Sequence, residues 1–355
     1  MQYNFLFLAY VLSALSALVV YLSGGTYRVY PNLMYFPITI AATTSNKKHA
    51  LLHAVISGFL IGPWMPMDVE AGIMQTPQNW LIRTLFFILI AFVISFFVNF
   101  YLEEHKIKER IASELKVANK IQASMLPRIF PPYPERDEFD IYASMKPARE
   151  VGGDFYDFYL IDDQRVAIVI GDVSGKGVPA ALFMVIAKTL IKNEAQRGIP
   201  VNEILYNANN SLCQDNEELL FVTSFIGILN FKEGKLEYSN AGHNPPLIKR
   251  DKGSFEYLEL ESGFVLGGME DFEFKKEVID FKPGDMIYIY TDGITEAMNQ
   301  NNQQFSEKRL LDTLNNTNKS DLKYIEKEIK SEVIKFADGA SQYDDYTMVL
   351  LKHNK

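Results

Sequence analysis

Four acidic sites stand beside apolar, strand-like runs. Glu150-Val-Gly-Gly-Asp-Phe-Tyr-Asp157 carries Asp154, and Ile170-Gly-Asp-Val-Ser-Gly-Lys-Gly177 carries Asp172. Thr291-Asp-Gly-Ile-Thr-Glu296 carries Asp292, just after the run Met286–Tyr290. Tyr343-Asp-Asp-Tyr-Thr347 carries Asp344 and Asp345, just before Met348–Leu351. Aspartates at strand ends, far apart in the chain, are what a carboxylate-only metal centre needs. Hard divalent cations take oxygen ligands, and Mg²⁺ keeps several waters, so few carboxylates suffice. Two such ions can hold the attacking and leaving oxygens of a phosphoryl displacement. Gly152, Gly153, Gly171, Gly175 and Gly177 flank these acids and admit close backbone approach. Residues 171–177 lack the GxxxxGK[ST] spacing, which argues against ATP binding by a P-loop.

The elements that must position these acids alternate in type. Phe139–Met145, Phe155–Ile161 and Arg165–Ile170 read as strands, then Val178–Arg197 and Val201–Asp215 as helices, with Pro179 suited to a helix start. Phe221–Phe231, Lys235–Ser239, Pro246–Arg250, Phe255–Glu259, Phe272–Phe281 and Met286–Tyr290 read as strands. Ser306–Leu314 and Lys319–Phe336 read as helices, and Asp345–Leu351 as a closing strand. Strand blocks with helices set apart predict an α+β domain over residues 136–355.

The 355 residues suffice for about two domains, and 48% hydrophobic content points to a membrane part or a large core. A net charge of −9 argues against nucleic acid as a partner. The single cysteine, Cys213, excludes an intrachain disulfide and reads as a buried small apolar residue in a reducing compartment.

Residues 1–102 read as a membrane region of four spans. Phe5–Leu22 and Leu81–Tyr101 reach the length that crosses about 30 Å of hydrocarbon. Tyr30–Thr44 and Ala50–Met67 are shorter and interrupted by prolines. Lys47, Lys48, Lys106, Lys108 and Arg110 put both termini and the α+β domain on the cytoplasmic side of a cell inner or plasma membrane, in contact with membrane lipid. A cleaved signal peptide is the alternative for Phe5–Leu22, but no basic segment precedes it. His53 and Arg83 are functional candidates inside the membrane, or snorkel to its surface. Residues 103–135 form a charged connector. Ile111, Leu115, Ala118, Gln122 and Met125 keep the spacing of a coiled-coil seam, which predicts a homodimer through 103–126. A single amphipathic helix packed on its own domain is the alternative.

In this order, EVGGDFYD, GDVSGKG, NAGHNPP, TDGITEA and DDYT resemble the metal-dependent Ser/Thr protein phosphatases of the SpoIIE/RsbU type, from about Lys116 to Lys352. The resemblance implies an α-β-β-α sandwich of the PPM class with two Mn²⁺ or Mg²⁺ ions. Asp172 would bridge them, the Val173 carbonyl would be a ligand, and Asp292 and Asp344 would complete the second site, with Asp345 in an alternative register. Asp154 would act largely through water. Arg149 matches an arginine that grips the substrate phosphate, or is a surface residue. The reaction implied is single-step hydrolysis by an ion-activated water, without a phosphoenzyme. The implied substrate is a phosphoserine regulatory protein of the anti-sigma-factor-antagonist (STAS) kind. The segment Lys116–Pro127 resembles a linker that mediates dimerisation and signal transfer. Ser174 stands where many eukaryotic relatives have a histidine, and His243 reads as a turn-shaping residue. Two rival readings stay open: a non-catalytic membrane receptor with a phosphatase-like domain, and a hydrolase of small phosphoesters.

Overall fold

The computed structural model describes residues 2–354 apart from 45, 215, 262, 318 and 319, with side chains from residue 4 onward. Asp215 and Lys319, the expected end and start of two helices, therefore lie outside the described residues. The chain falls into two compact units, Met1–Ser113 and Glu114–Lys355.

The first unit holds α1 (Gln2–Leu22), a 3-10 turn (Tyr30–Met34), α2 (Tyr35–Ala42), α3 (Lys47–Leu60), a small hairpin of β1 (Pro66–Asp68) and β2 (Ile73–Met74), and the start of α4 (Pro77–Met125). Among the described residues, two helices are long and apolar enough to cross a membrane, α1 over Asn4–Leu22 and α4. Phe7, Leu15, Leu18 and Leu22 on α1 are more than half exposed, as a lipid-facing surface would be. The expected inner pair of spans does not form at that length. At about 1.5 Å per residue, the eight residues of α2 and fourteen of α3 reach only roughly 12 and 21 Å. Pro31 opens the 3-10 turn, and Gly62-Pro63 follows the end of α3. His53 does not snorkel. It is fully buried, with Nε2 3.2 Å from the Ser13 hydroxyl and its ring 4.7 Å from that of Tyr10. Arg83 donates to the Ile61 carbonyl (2.6 Å) and to Gln75 Oε1 (2.6 Å), satisfying a carbonyl at the end of α3.

The second unit is built on two antiparallel five-stranded sheets. The strands are β3 (Phe139–Lys146), β4 (Phe155–Leu160), β5 (Arg165–Val173), β6 (Val222–Asn230), β7 (Lys235–Ala241), β8 (Leu247–Lys249), β9 (Phe255–Tyr257), β10 (Glu277–Asp280), β11 (Met286–Tyr290) and β12 (Tyr346–His353). The helices are α5 (Val178–Ala195), α6 (Val201–Cys213), α7 (Asp292–Thr295), α8 (Ser306–Asn316) and α9 (Leu322–Ala337). One sheet runs β10-β7-β6-β5-β4, the other β3-β12-β11-β8-β9. Helices α5 and α6 pack on the first sheet, α8 and α9 on the second.

The period-two alternation of side chains builds the layers. On β11, Ile287 and Ile289 join the core between the sheets, while Met286, Tyr288 and Tyr290 join the core under α8 and α9. On β12, Val349 and Leu351 point the first way, Met348 and Leu350 the second. Both faces of these strands are buried, which is why their sequence is apolar throughout. The result is the expected α-β-β-α sandwich. The strand expected at Phe272–Phe281 is shorter, because Phe272 and Phe274 leave the ladder and pack against each other and the core (ring centroids 5.0 Å apart).

Candidate active site

The predicted acids come from both sheets. Asp172 lies near the end of β5, opposite Thr223 of β6. Asp154 immediately precedes β4. Asp292 opens α7 directly after β11, and Asp344 lies two residues before β12. Their charges meet. Burial first, then Asp292, Asp344 and Asp345, push the Asp172 carboxyl up to about 7. Burial, then Asp344 and Glu296, push Asp292 up to about 6. Asp154 is raised well above the usual carboxylate range by burial and by Asp172 and Asp345. The Thr291 hydroxyl donates to Asp154 Oδ2 (2.7 Å) and fixes its orientation.

Asp344 and Asp345 do different things. Asp345 is buried and accepts three backbone N–H groups, from Ala148 (2.8 Å), Gly153 (2.8 Å) and Asp154 (3.3 Å). Both of its oxygens therefore shape the loop that carries Asp154. The Asp344 side chain is 27% exposed and faces Lys176, whose Nζ lies 2.8 Å from Oδ2. Lys176 Nζ also donates to the Tyr343 carbonyl (2.9 Å) and sits over the Tyr343 ring. Nothing in the sequence marked Lys176 for this ion pair.

Two glycines make the arrangement possible. A Cβ at Gly293 would fall 1.9 Å from the Asp345 carbonyl oxygen, and one at Gly152 would fall 2.4 Å from Asp345 Oδ2. A further contact was hidden in the connector. Gln122, expected in a coiled-coil seam, is buried and clamps Gly152 with both ends of its amide. Nε2 donates to the Gly152 carbonyl (2.7 Å), and Oε1 accepts the Gly152 N–H (3.1 Å). Asn119, one turn earlier, donates to the Glu150 carbonyl. Beyond residue 102, the large apolar residues of α4 that stay exposed are Ile107, Ile111, Val117, Ile121 and Met125.

Arg149 belongs to the same loop, next to Ala148, and its side chain is exposed. Ser174 closes a turn: its N–H donates to the Phe221 carbonyl and its hydroxyl accepts the Phe221 N–H, both at 2.9 Å. Cys213 is half-buried rather than buried, and burial raises its thiol.

His243 is enclosed between Thr223 Oγ1 (2.9 Å from Nδ1) and the Asn240 side chain, which bonds both the N–H and the carbonyl of His243. Burial pushes its pKa down to about 4. The unfolded chain takes up this proton below about 6.5, so the stability His243 confers is present above that pH and is lost as pH falls towards 4. Between pH 7 and 4.5, the unfolding free energy is expected to drop by about 2–3 kcal/mol more in the native chain than in His243→Asn. Urea unfolding at the two pH values checks this, and equal drops would refute it.

The donors present are carboxylates and the Val173 carbonyl, against which Gly153 packs so closely that a Cβ would lie 3.0 Å from the oxygen. Buried carboxylates that raise one another's pKa are relieved by a cation. Among the described residues, no three acidic, His or Cys side chains close around one point. Such an open all-oxygen set suits Mg²⁺ or Mn²⁺, which retain water, better than a fully enclosing protein cage.

The sandwich with acids at its strand ends has the fold of a PP2C-type phosphatase domain. The SiaA-PP2C domain of Pseudomonas aeruginosa superposes with a TM-score of 0.62 at 20% identity, over 69% of this chain and 98% of that one. Residues 162–354 match the family model for stage II sporulation protein E (SpoIIE). Phosphoserine phosphatase RsbU of Bacillus subtilis is 31% identical over 255 residues, 70% of this chain and 74% of RsbU. Protein IcfG of Synechocystis is 32% identical over 270 residues, 68% of this chain but only 42% of IcfG. The chain belongs to the SpoIIE family of PP2C-type protein serine/threonine phosphatases.

Proposed function

We propose that this chain is a membrane-anchored, signal-regulated phosphatase that removes phosphate from serine on a regulatory protein. The observation that carries the reading is the convergence of Asp154, Asp172, Asp292 and Asp344 from two sheets, with Asp172 and Asp292 raised to about 7 and about 6 by burial and by neighbouring acids. Asp172 would hold both ions, the Val173 carbonyl would be a further ligand, Asp292 and Asp344 would complete the second site, and Asp154, fixed by Thr291, would orient water. Two Mn²⁺ or Mg²⁺ ions would supply charge neutralisation and an acidified water. Asp345 serves as the clamp of loop 148–154 rather than as a ligand, because both its oxygens are already engaged. Arg149, exposed in that loop, would meet the substrate phosphate in the bidentate manner of a guanidinium.

That RsbU is a phosphoserine phosphatase supports a phosphoserine substrate. An anti-sigma-factor antagonist is the class of protein the motifs suggest. In this reading α1 and the apolar part of α4 anchor the chain in the inner or plasma membrane, with residues 114–355 in the cytoplasm. The exposed apolar residues of the connector, Ile107, Ile111, Val117, Ile121 and Met125, serve a homodimer.

Hydrolysis of p-nitrophenyl phosphate by the detergent-solubilised full chain, with Mn²⁺ and with EDTA, tests the chemistry. Turnover should require Mn²⁺ and fall by more than about a hundredfold in Asp172→Asn. Turnover that persists in EDTA or in the variant would sink the reading.

A further inference from the structure

A groove of about 320 Å³ opens beside the acidic cluster. Gly293 and Tyr343 line it, and these are the chain neighbours of Asp292 and Asp344. Its far wall is α9, through Val333 and Ile334, and Lys146 and Lys330 line it as well. Ile334 is 60% exposed and Tyr343 64% exposed, although both border an apolar depression. The Lys330 side chain is 43% exposed, and its nearest acid, Glu326, is 3.9 Å away, too far for a tight pair. The groove therefore offers apolar surface bordered by two lysines, next to a cluster of aspartates.

We propose that this groove receives the residues that flank the phosphoserine of the substrate protein. It selects a segment with an apolar side chain and an acidic side chain beside the phosphoserine. The proposal rests on the phosphatase reading above and deepens it. Three observations select this occupant. A phosphate held among Asp172, Asp292 and Asp344 has the groove as its immediate neighbour, because adjacent residues build both. Exposed Ile334 and Tyr343 gain from covering by an apolar side chain. The lysines complement an acidic side chain, whereas the aspartates of the site repel one. The volume is at the lower end for ligand pockets, which suits a few side chains rather than a folded domain.

The test uses the detergent-solubilised full chain with Mn²⁺ and three probes. These are p-nitrophenyl phosphate and two synthetic phosphoserine peptides that differ only in their flanks, Leu and Glu in one, Gly and Lys in the other. The Leu/Glu peptide should have a kcat/KM about tenfold or more above its counterpart, carried by KM. Ile334→Gln, and separately Lys330→Glu, should each remove most of that preference while p-nitrophenyl phosphate turnover stays unchanged. Equal use of the two peptides, or a preference that survives both variants, overturns the proposal. So does a drop in self-association by light scattering in Ile334→Gln, which would mark the groove as a contact between copies. If the native chain fails to hydrolyse p-nitrophenyl phosphate, the phosphatase reading fails by itself. Fluorescence-polarisation binding of the labelled Leu/Glu peptide then decides the groove: binding lost in Ile334→Gln supports it, and no binding overturns it.

Discussion

Gly293→Ala is expected to cost more than about 4 kcal/mol of stability and to erase metal-dependent turnover. The added methyl would lie 1.9 Å from the Asp345 carbonyl oxygen, which is backbone and cannot swing aside. Either α7 moves, taking Asp292 with it, or the start of β12 moves, taking Asp344 and Asp345. Gly177→Ala is the control. Gly177 has φ +83° and ψ −150°, a region essentially reserved for glycine, but nothing lies within 4 Å of an added Cβ, so the change should cost about 1–3 kcal/mol of backbone strain without a clash. Urea unfolding of both variants, with Mn²⁺ titration by calorimetry, reads the difference. Similar losses in the two would mean that the close approach of Gly293 to Asp345 is not a constraint.

The second large effect separates two adjacent aspartates. Asp345→Asn should destabilise the chain by about 2–4 kcal/mol. An amide has one acceptor oxygen where three N–H groups converge, and its NH₂ faces donors. Relief of the burial that raises the Asp345 pKa offsets part of this loss. Asp344→Asn should change stability by less than about 1 kcal/mol, because its bond to Lys176 is partly solvent-screened. It should nevertheless reduce turnover as strongly as Asp172→Asn. Denaturation midpoints and kcat for the two variants give the answer, and the reverse pattern would assign the ligand role to Asp345.

The sequence showed most of the catalytic domain because its strands are buried on both faces. Met286–Tyr290 has the same limits as β11, and the acidic motifs fall at strand ends as expected. What it could not show depends on contacts between distant residues. The seam spacing in α4 treats Gln122 as one apolar-face position among others. Only its partner thirty residues later, Gly152, reveals that the side chain is spent on the chain's own backbone. The Asp344–Asp345 pair is ambiguous for the same reason: either residue fits the motif, and only the fold shows that the N–H groups of 148, 153 and 154 converge on Asp345. In the first unit, hydropathy found all four apolar segments but not their lengths as helices. Gly62-Pro63 ends α3 before it reaches a membrane-crossing length.

The acids are divided between the sheets, Asp154 and Asp172 on the one and Asp292 and Asp344 on the other. On the proposed ligand set, neither sheet alone is complete. Any ion bound there acts as a rivet through the two layers, and it can be set only after both layers are in place. Loading is then a report on the finished sandwich, and ion at a hundred times its dissociation constant adds about 2.7 kcal/mol to its stability. It also follows that a change in the core between the layers, at Ile287 or Val349 for instance, would alter the spacing of the rivet holes without touching an acid.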